Sequence, residues 1–175
     1  MSDPVSMYSA SIPGFVRALR GLAHVLRFGE THAREHGLAA DALLQSRLIE
    51  DMFPLVKQVQ VATDMARNGA SRLAGTALVS VPDDERAFDQ LHARIARTIT
   101  HLEAFAPAQI DGSESRPITL KVGDAEMKFD GHNYLFGFVL PNLYFHVTTA
   151  YAILRQAGVP LGKPDFFGRA LPTRE

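Results

Sequence analysis

The chain contains no cysteine. That excludes thiolate metal sites, a cysteine nucleophile and a disulfide framework, and it suits a reducing compartment. An excess of charge is missing as well. There are 18 Lys and Arg against 19 Asp and Glu, a formal net charge of -1, so no overall positive field would draw in nucleic acid or an anionic lipid surface. Glycine-rich dinucleotide and P-loop motifs, the nucleophile-elbow serine, HExxH and the EF-hand loop do not occur. The opening Met1-Ser2-Asp3-Pro4 carries no basic region followed by an apolar stretch, so a secretory signal is not expected. From Gly131 to Leu154 there is no Asp, Glu, Lys or Arg, a run long enough to cross a bilayer. It nevertheless holds His132, Asn133, Pro141, Asn142, His146, Thr148 and Thr149, each costly in lipid, and it reads as a buried central helix.

What is present is a globular balance, 46% hydrophobic and 21% charged over 175 residues. A chain of this length buries roughly 70% of the surface it exposes when unfolded and needs no staple. The expectation is one soluble, cytoplasmic domain spanning residues 1–175.

Four segments carry the helical period. In the first, Ile12, Phe15, Val16, Leu19, Leu22, Ala23 and Leu26 share a face opposite Arg17, Arg20, His24 and Arg27. Ser11 is the expected cap, with Pro13 in the first turn and Gly37 at the end. The second runs from about Met52 to Leu73, with Leu55, Val56, Val59, Ala62 and Ala66 inward; a short connecting helix starts near Asp41. The third is expected to open at Ser80-Val-Pro82-Asp83-Asp84-Glu85, where a hydroxyl, a proline and three acids suit the positive end of the helix dipole. Phe88, Leu91, Ile95, Ile99 and Leu102 form its inner stripe. The fourth runs from about His132 to Gln156 and is apolar nearly all round.

Before the last helix the period changes to two. A turn at Gly123-Asp124 pairs Val122 with Ala125, Leu120 with Met127 and Ile118 with Phe129, so a β-hairpin is expected over about 117–130. All six residues then lie on one face, which should cover part of the bundle, while Lys121 opposes Glu126 on the other.

The histidines differ in their settings. His32 and His36 are four residues apart at the end of the first helix and read as surface groups that complement its dipole. His24 should face solvent with the arginines; His92 and His101 have no evident partner. His146 lies in the middle of the most apolar helix, one turn after Asn142, and a buried imidazole needs a partner or a ligand. Facing polar groups on the second helix are Gln58, Gln60 and Asp64, of which Gln58 borders the core.

Two stretches carry a wider likeness. Pro141-Asn-Leu-Tyr-Phe-His146-Val-Thr-Thr-Ala-Tyr151, followed by Gly158-Val-Pro-Leu-Gly-Lys163-Pro-Asp-Phe-Phe-Gly168, resembles the C-terminal signature of a bacterial domain-of-unknown-function family. Asp51-Met-Phe-Pro-Leu-Val-Lys-Gln58-Val-Gln60 is similar to its helix-two motif. That family is grouped with the DinB/YfiT-like metalloenzyme superfamily. The resemblance implies an all-α DinB-like four-helix bundle with a small β-hairpin inserted before the last helix, often dimeric. Characterised relatives in the wider group include metal-dependent thiol S-transferases and maleylpyruvate-isomerase-type enzymes. The superfamily binds a divalent metal through one histidine on helix two and an HxxxH pair on helix four. Matching the second of that pair to His146 puts Asn142 at the first and Gln58, or else Gln60, at the helix-two position. Amide oxygens are poor ligands for zinc or nickel. No cofactor is therefore expected; any divalent metal would fall on His146, Asn142 and Gln58.

The resulting expectation is a polar pocket of Gln58, Asn142 and His146, a degenerate metal site or a small-molecule transferase- or isomerase-type site. If the pocket is catalytic, His146 is the general base or a metal ligand, and the amides orient a substrate carbonyl or a water. Whether it is catalytic stays open. The competing reading is a non-enzymatic bundle that binds a small apolar ligand or a protein partner. The expected partners are a small molecule and a second copy in a homodimer, with neither nucleic acid nor membrane.

Overall fold

The computed structural model describes residues 5–123 and 125–168. Met1-Ser2-Asp3-Pro4, Asp124 of the expected hairpin turn and the end of the 1–175 span lie outside the described residues. The fold is an all-α four-helix bundle with a two-stranded hairpin before the last helix. The bundle consists of α1 (Met7–Glu35), α3 (Leu55–Ala74), α4 (Phe88–Glu103) and a continuous helical run made of α6 (Gly131–Asn133), a π-helical turn (Tyr134–Val139) and α7 (Leu140–Gln156). Short helices α2 (Ala40–Leu44), α5 (Pro107–Ile110) and α8 (Lys163–Phe166) join or cap these. Leu19, Leu22, Leu26, Val59, Ala62, Leu91, Ile95, Leu135, Leu143 and Val147 fill the centre. No described helix is long and apolar enough to cross a membrane.

Several helix starts differ from the sequence expectation. The cap of α1 is Ser6, not Ser11. The Ser6 hydroxyl accepts the Ser9 N–H at 3.2 Å while the Ser9 hydroxyl accepts the Ser6 N–H at 2.8 Å. Ser11 lies one turn inside, buried, and donates its hydroxyl to the Met7 carbonyl at 2.6 Å. Pro13 is accordingly in the helix interior. Helix α3 begins at Leu55 rather than Met52, because Pro54 bars its predecessor Phe53 from helical geometry.

The largest correction concerns α4, which begins at Phe88 and not at Ser80. Residues 76–87 form a strap without regular structure across α3 and α4, and two of the acids expected in the first turn are used elsewhere, on a buried arginine. The side chain of Gln90 accepts the Ala87 N–H at 3.2 Å and caps the true start.

The hairpin strands β1 (Ile118–Val122) and β2 (Ala125–Phe129) pair in the expected register, with Ile118 opposite Phe129 and Leu120 opposite Met127. Its apolar face is only partly covered, contrary to expectation. Ile118 and Leu120 are buried and Phe129 rests against the rings of Tyr134 and Phe138, but Met127 is 40% exposed and Ala125 is exposed too. The base of the hairpin packs on the bundle, whereas Met127 and Ala125 further along are exposed; the side chain of Val122 lies outside what is described.

The last helical run starts where Asp130 accepts the Asn133 N–H at 2.7 Å. Gly131 is required there, since a Cβ would collide with the Ser113 carbonyl oxygen. The π turn leads directly into Pro141, with the Leu140 N–H reaching back to the Leu135 carbonyl. A proline ring clashes with the carbonyl four residues earlier in a regular α-helix, and a wider turn relieves that contact.

Candidate functional site

Helices α3 and α7 bring Gln58 and His146 together. Gln58 is 1% and His146 7% exposed. The Gln58 Nε2 donates to the Phe53 carbonyl at 3.0 Å, which fixes the amide so that Oε1 meets His146 Nδ1 at 2.7 Å. An amide oxygen only accepts, so Nδ1 carries the imidazole proton and Nε2 keeps its lone pair. Among the described residues Nε2 has no hydrogen-bond partner. Burial pulls the pKa of His146 below the ordinary value, which keeps the ring neutral. The ring of Phe145 meets it edge-on at 5.2 Å.

Asn142 does not join this pair. Its Nδ2 donates at 2.7 Å to the carbonyl of Phe138, four residues back in its own helix. That carbonyl belongs to the π turn ahead of Pro141, and the side chain is spent on it. Gln60 also turns away. It donates to the Glu85 carboxylate at 2.8 Å on the α4 side of α3. Of the candidates on the second helix, Gln58 is the one in contact with His146.

A hollow of about 540 Å³ lies beside the pair, lined by Leu48, Met52, Pro141, Tyr144, Phe145 and Thr149 among others. His146 does not line it; Phe145 is the shared wall.

Sequence reasoning missed a second polar centre. Arg94, 1% exposed, reaches Asp64 at 2.7 Å, Asp83 at 3.0 Å and Glu85 at 3.1 Å, and it donates to the Thr63 hydroxyl and the Pro82 carbonyl at 2.8 Å each. Arg67 joins Asp64 at 2.9 Å and Lys57 joins Asp83. Burial alone would raise the pKa of Glu85, but hydrogen bonds from Gln60 and Arg94 outweigh it and hold the carboxyl below its usual range. The available signal was Arg94 itself, a charged residue three positions after Leu91 and next to Ile95 on the inner stripe.

The other histidines have neighbours that the sequence did not reveal. His101 Nε2 is 3.2 Å from the Ser71 hydroxyl, and His92 Nε2 is 3.5 Å from Glu30. His24 is half-buried 3.5 Å from Asp165 rather than facing solvent. The rings of His32 and His36 lie 4.1 Å apart and tilted by 33°, with His36 exposed but His32 half-buried, and His36 Nδ1 is 2.9 Å from the His32 carbonyl.

The donor set at His146 does not fit a zinc or nickel site. One imidazole nitrogen is free, the Gln58 oxygen is occupied by Nδ1–H, and Asn142 points into its own helix. Among the described residues no group of three or more His, Asp or Glu is placed to hold an ion.

The chain matches, over residues 7–167, the family described as Domain of unknown function (DUF1993). No curated protein matches it. It is similar to a solved structure, a DinB family member from Shewanella denitrificans, at 34% identity and a TM-score of 0.84, covering 96% of this chain and 94% of that one.

Proposed function

From a chain that belongs to the DUF1993 family, on the DinB-like bundle, we propose a small-molecule site at the His146–Gln58 pair that works without a resident metal. The observation that carries this reading is the pinned amide of Gln58. By accepting Nδ1–H it presents Nε2 of a neutral, buried imidazole as the reactive atom. A histidine so held accepts a hydrogen bond from an O–H or N–H of a ligand, or removes that proton as a general base. Transfer and isomerisation reactions that move one proton are the chemistry it suits. The aromatic wall of Phe145 and the adjoining hollow favour a ligand with an apolar part.

Imidazole-labelled protein tests this by NMR. We expect Nδ1 protonated and Nε2 not, and small fragments with an O–H or N–H donor should shift the Nε2 resonance. Their binding should vanish in His146→Ala and survive in His36→Ala. An Nε2-protonated ring, or fragments that bind and leave His146 unmoved, would overturn the assignment. Tag-free protein should carry zinc, nickel and iron far below one per chain. Stoichiometric metal lost on His146→Ala would defeat the metal-free part.

A further inference from the structure

We propose that the exposed face of the last helical run docks a second copy of this chain, the two helices lying antiparallel about a two-fold axis that passes between Pro141 and Tyr144. The run from Gly131 to Leu154 holds no Asp, Glu, Lys or Arg, so every side chain it exposes is uncharged. A helix face that meets water is normally charged, whereas the core of a protein interface is depleted in charge and enriched in aromatics. Phe136, Tyr144 and Phe145 are 42%, 43% and 56% exposed on this face, and Ile49 and Phe53 of the adjoining loop are 61% and 52% exposed. The loop continues the face through Leu48 and Met52, which share a hollow with Tyr144 and Phe145. A half-exposed aromatic side chain presents roughly 100 Å². The four rings therefore supply on the order of half of the ~800 Å² that each partner gives to a stable interface.

The spacing of the seam picks a second copy as the occupant. Asn133, Gly137, Pro141, Tyr144, Thr148 and Ala152 follow one another at steps of four, four, three, four and four residues, the first five exposed and Ala152 half-buried. That order of steps reads the same from either end. Reversing the helix about the point between Asn142 and Leu143 lays each seam position on another, Pro141 against the partner's Tyr144 and Gly137 against the partner's Thr148. The first charged residues on either side continue the symmetry: Asp130 and Arg155, both exposed, lie three positions beyond the two ends of the seam. An antiparallel copy sets Asp130 against the partner's Arg155 at both ends, while the uncharged middle meets itself without like-charge repulsion. A parallel copy would set like against like, and an unrelated partner would need no such palindrome. Gly137 has open space at its Cβ, so the seam is not filled from within the chain there. His146, 7% exposed, lies beneath this face, so the pairing stands whether or not the imidazole takes a ligand.

The test begins with sedimentation of the whole chain over a concentration series, where a reversible dimer is expected. Tyr144→Glu brings two like charges together beside the axis and should give a monomer whose helical circular dichroism is unchanged. Should that variant fail to fold, Tyr144→Ala takes its place and should weaken the dimer about tenfold. Arg155→Glu sets a carboxylate against the partner's Asp130 and should also weaken it about tenfold, because the two-fold axis repeats the penalty. The chain has no cysteine, so introduced pairs read the register directly. Under mild oxidation the double variant Gly137→Cys/Thr148→Cys should form covalent dimers. Neither single variant should, since identical positions stand roughly 16 Å apart along the axis at a rise of about 1.5 Å per residue, beyond the ~7 Å between Cα atoms that a disulfide spans. A chain that stays monomeric at every concentration overturns the proposal. So does a dimer that is indifferent to the Tyr144 substitutions, or one in which a single variant cross-links as readily as the double, because it then pairs through another face or in another direction.

Discussion

His146 Nδ1 and Gln58 Oε1, 88 residues apart in the chain, stand 2.7 Å apart across the α3–α7 interface, and a second hydrogen bond from the same amide to the Phe53 carbonyl decides which of its atoms faces the ring. The orientation of one amide thereby sets the tautomer of one histidine. Substituting Gln58 should then act on His146 directly. Gln58→Leu leaves a buried Nδ1–H unpaired and should cost about 1–3 kcal/mol, with the ring losing its single tautomer. Asn142→Ala should cost only about 1 kcal/mol, the worth of its bond to the Phe138 carbonyl, and leave the His146 tautomer untouched. Urea unfolding and imidazole NMR measure both. A tautomer change in Asn142→Ala would mean that Asn142 belongs to the pair after all.

Arg94→Met removes the cation that Asp64, Asp83 and Glu85 share. Breaking a buried ion pair from one side leaves an uncompensated charge and typically costs about 3–5 kcal/mol. Glu85, 4% exposed, is the carboxylate left worst off, so Glu85→Gln in the Arg94→Met background should recover part of the loss. A cost below about 1 kcal/mol for Arg94→Met would show the strap network to be slack.

Stability should fall as pH drops below neutral. Burial is the first cause that pulls His92, His101 and His146 under their ordinary 6.5, with Glu30 opposing it in part at His92. Below that value the unfolded chain holds more protons than the folded one, so the slope of unfolding free energy with pH is positive. The stability these residues confer is complete above 6.5 and is lost as pH falls through their lower folded values. Glu85 adds a more acidic loss, because its depressed carboxyl contributes above 4.5 and ceases to contribute as pH falls through its folded value. Urea unfolding between about pH 7.5 and about pH 5 should show the decline, with a shallower slope in His146→Gln. A flat profile over that range contradicts the histidine reading.

Gly131→Ala should destabilise by about 1–3 kcal/mol, the usual cost of overpacking, because the added Cβ meets the backbone oxygen of Ser113, which has no rotamer to yield. Gly137→Ala, in the same helical run but with open space at its Cβ, is the control and should be neutral or mildly stabilising. Equal costs at the two positions would rule out the backbone contact as the cause.

The elements that sequence reasoning placed well are those whose signals are local. The apolar stripe Phe15, Val16, Leu19, Leu22, Leu26 repeats at the helical period, and an alternating pattern around Gly123 sets the register of Ile118 with Phe129. These depend on the spacing of residues along one segment, which the chain carries in itself. The likeness of the Pro141–Gly168 stretch likewise led to the DinB-like bundle, and placing His146 on a buried face needed only its apolar surroundings.

What only the tertiary structure decided depends on partners distant in sequence. Asp83 and Glu85 suit a helix start by composition, yet Arg94, folded against them from α4, draws them into a strap and moves that start to Phe88. Asn142 shares a helix face with His146, yet the π turn before Pro141 gives it a nearer acceptor, so spacing alone overstated the pocket. Gln58 and Gln60 lie two positions apart and part company because a helix turns about 200° between them, one toward α7 and one toward the strap. The sequence determined which faces are apolar; packing determined which polar groups on those faces find each other, because a buried donor takes the acceptor that the fold brings within reach.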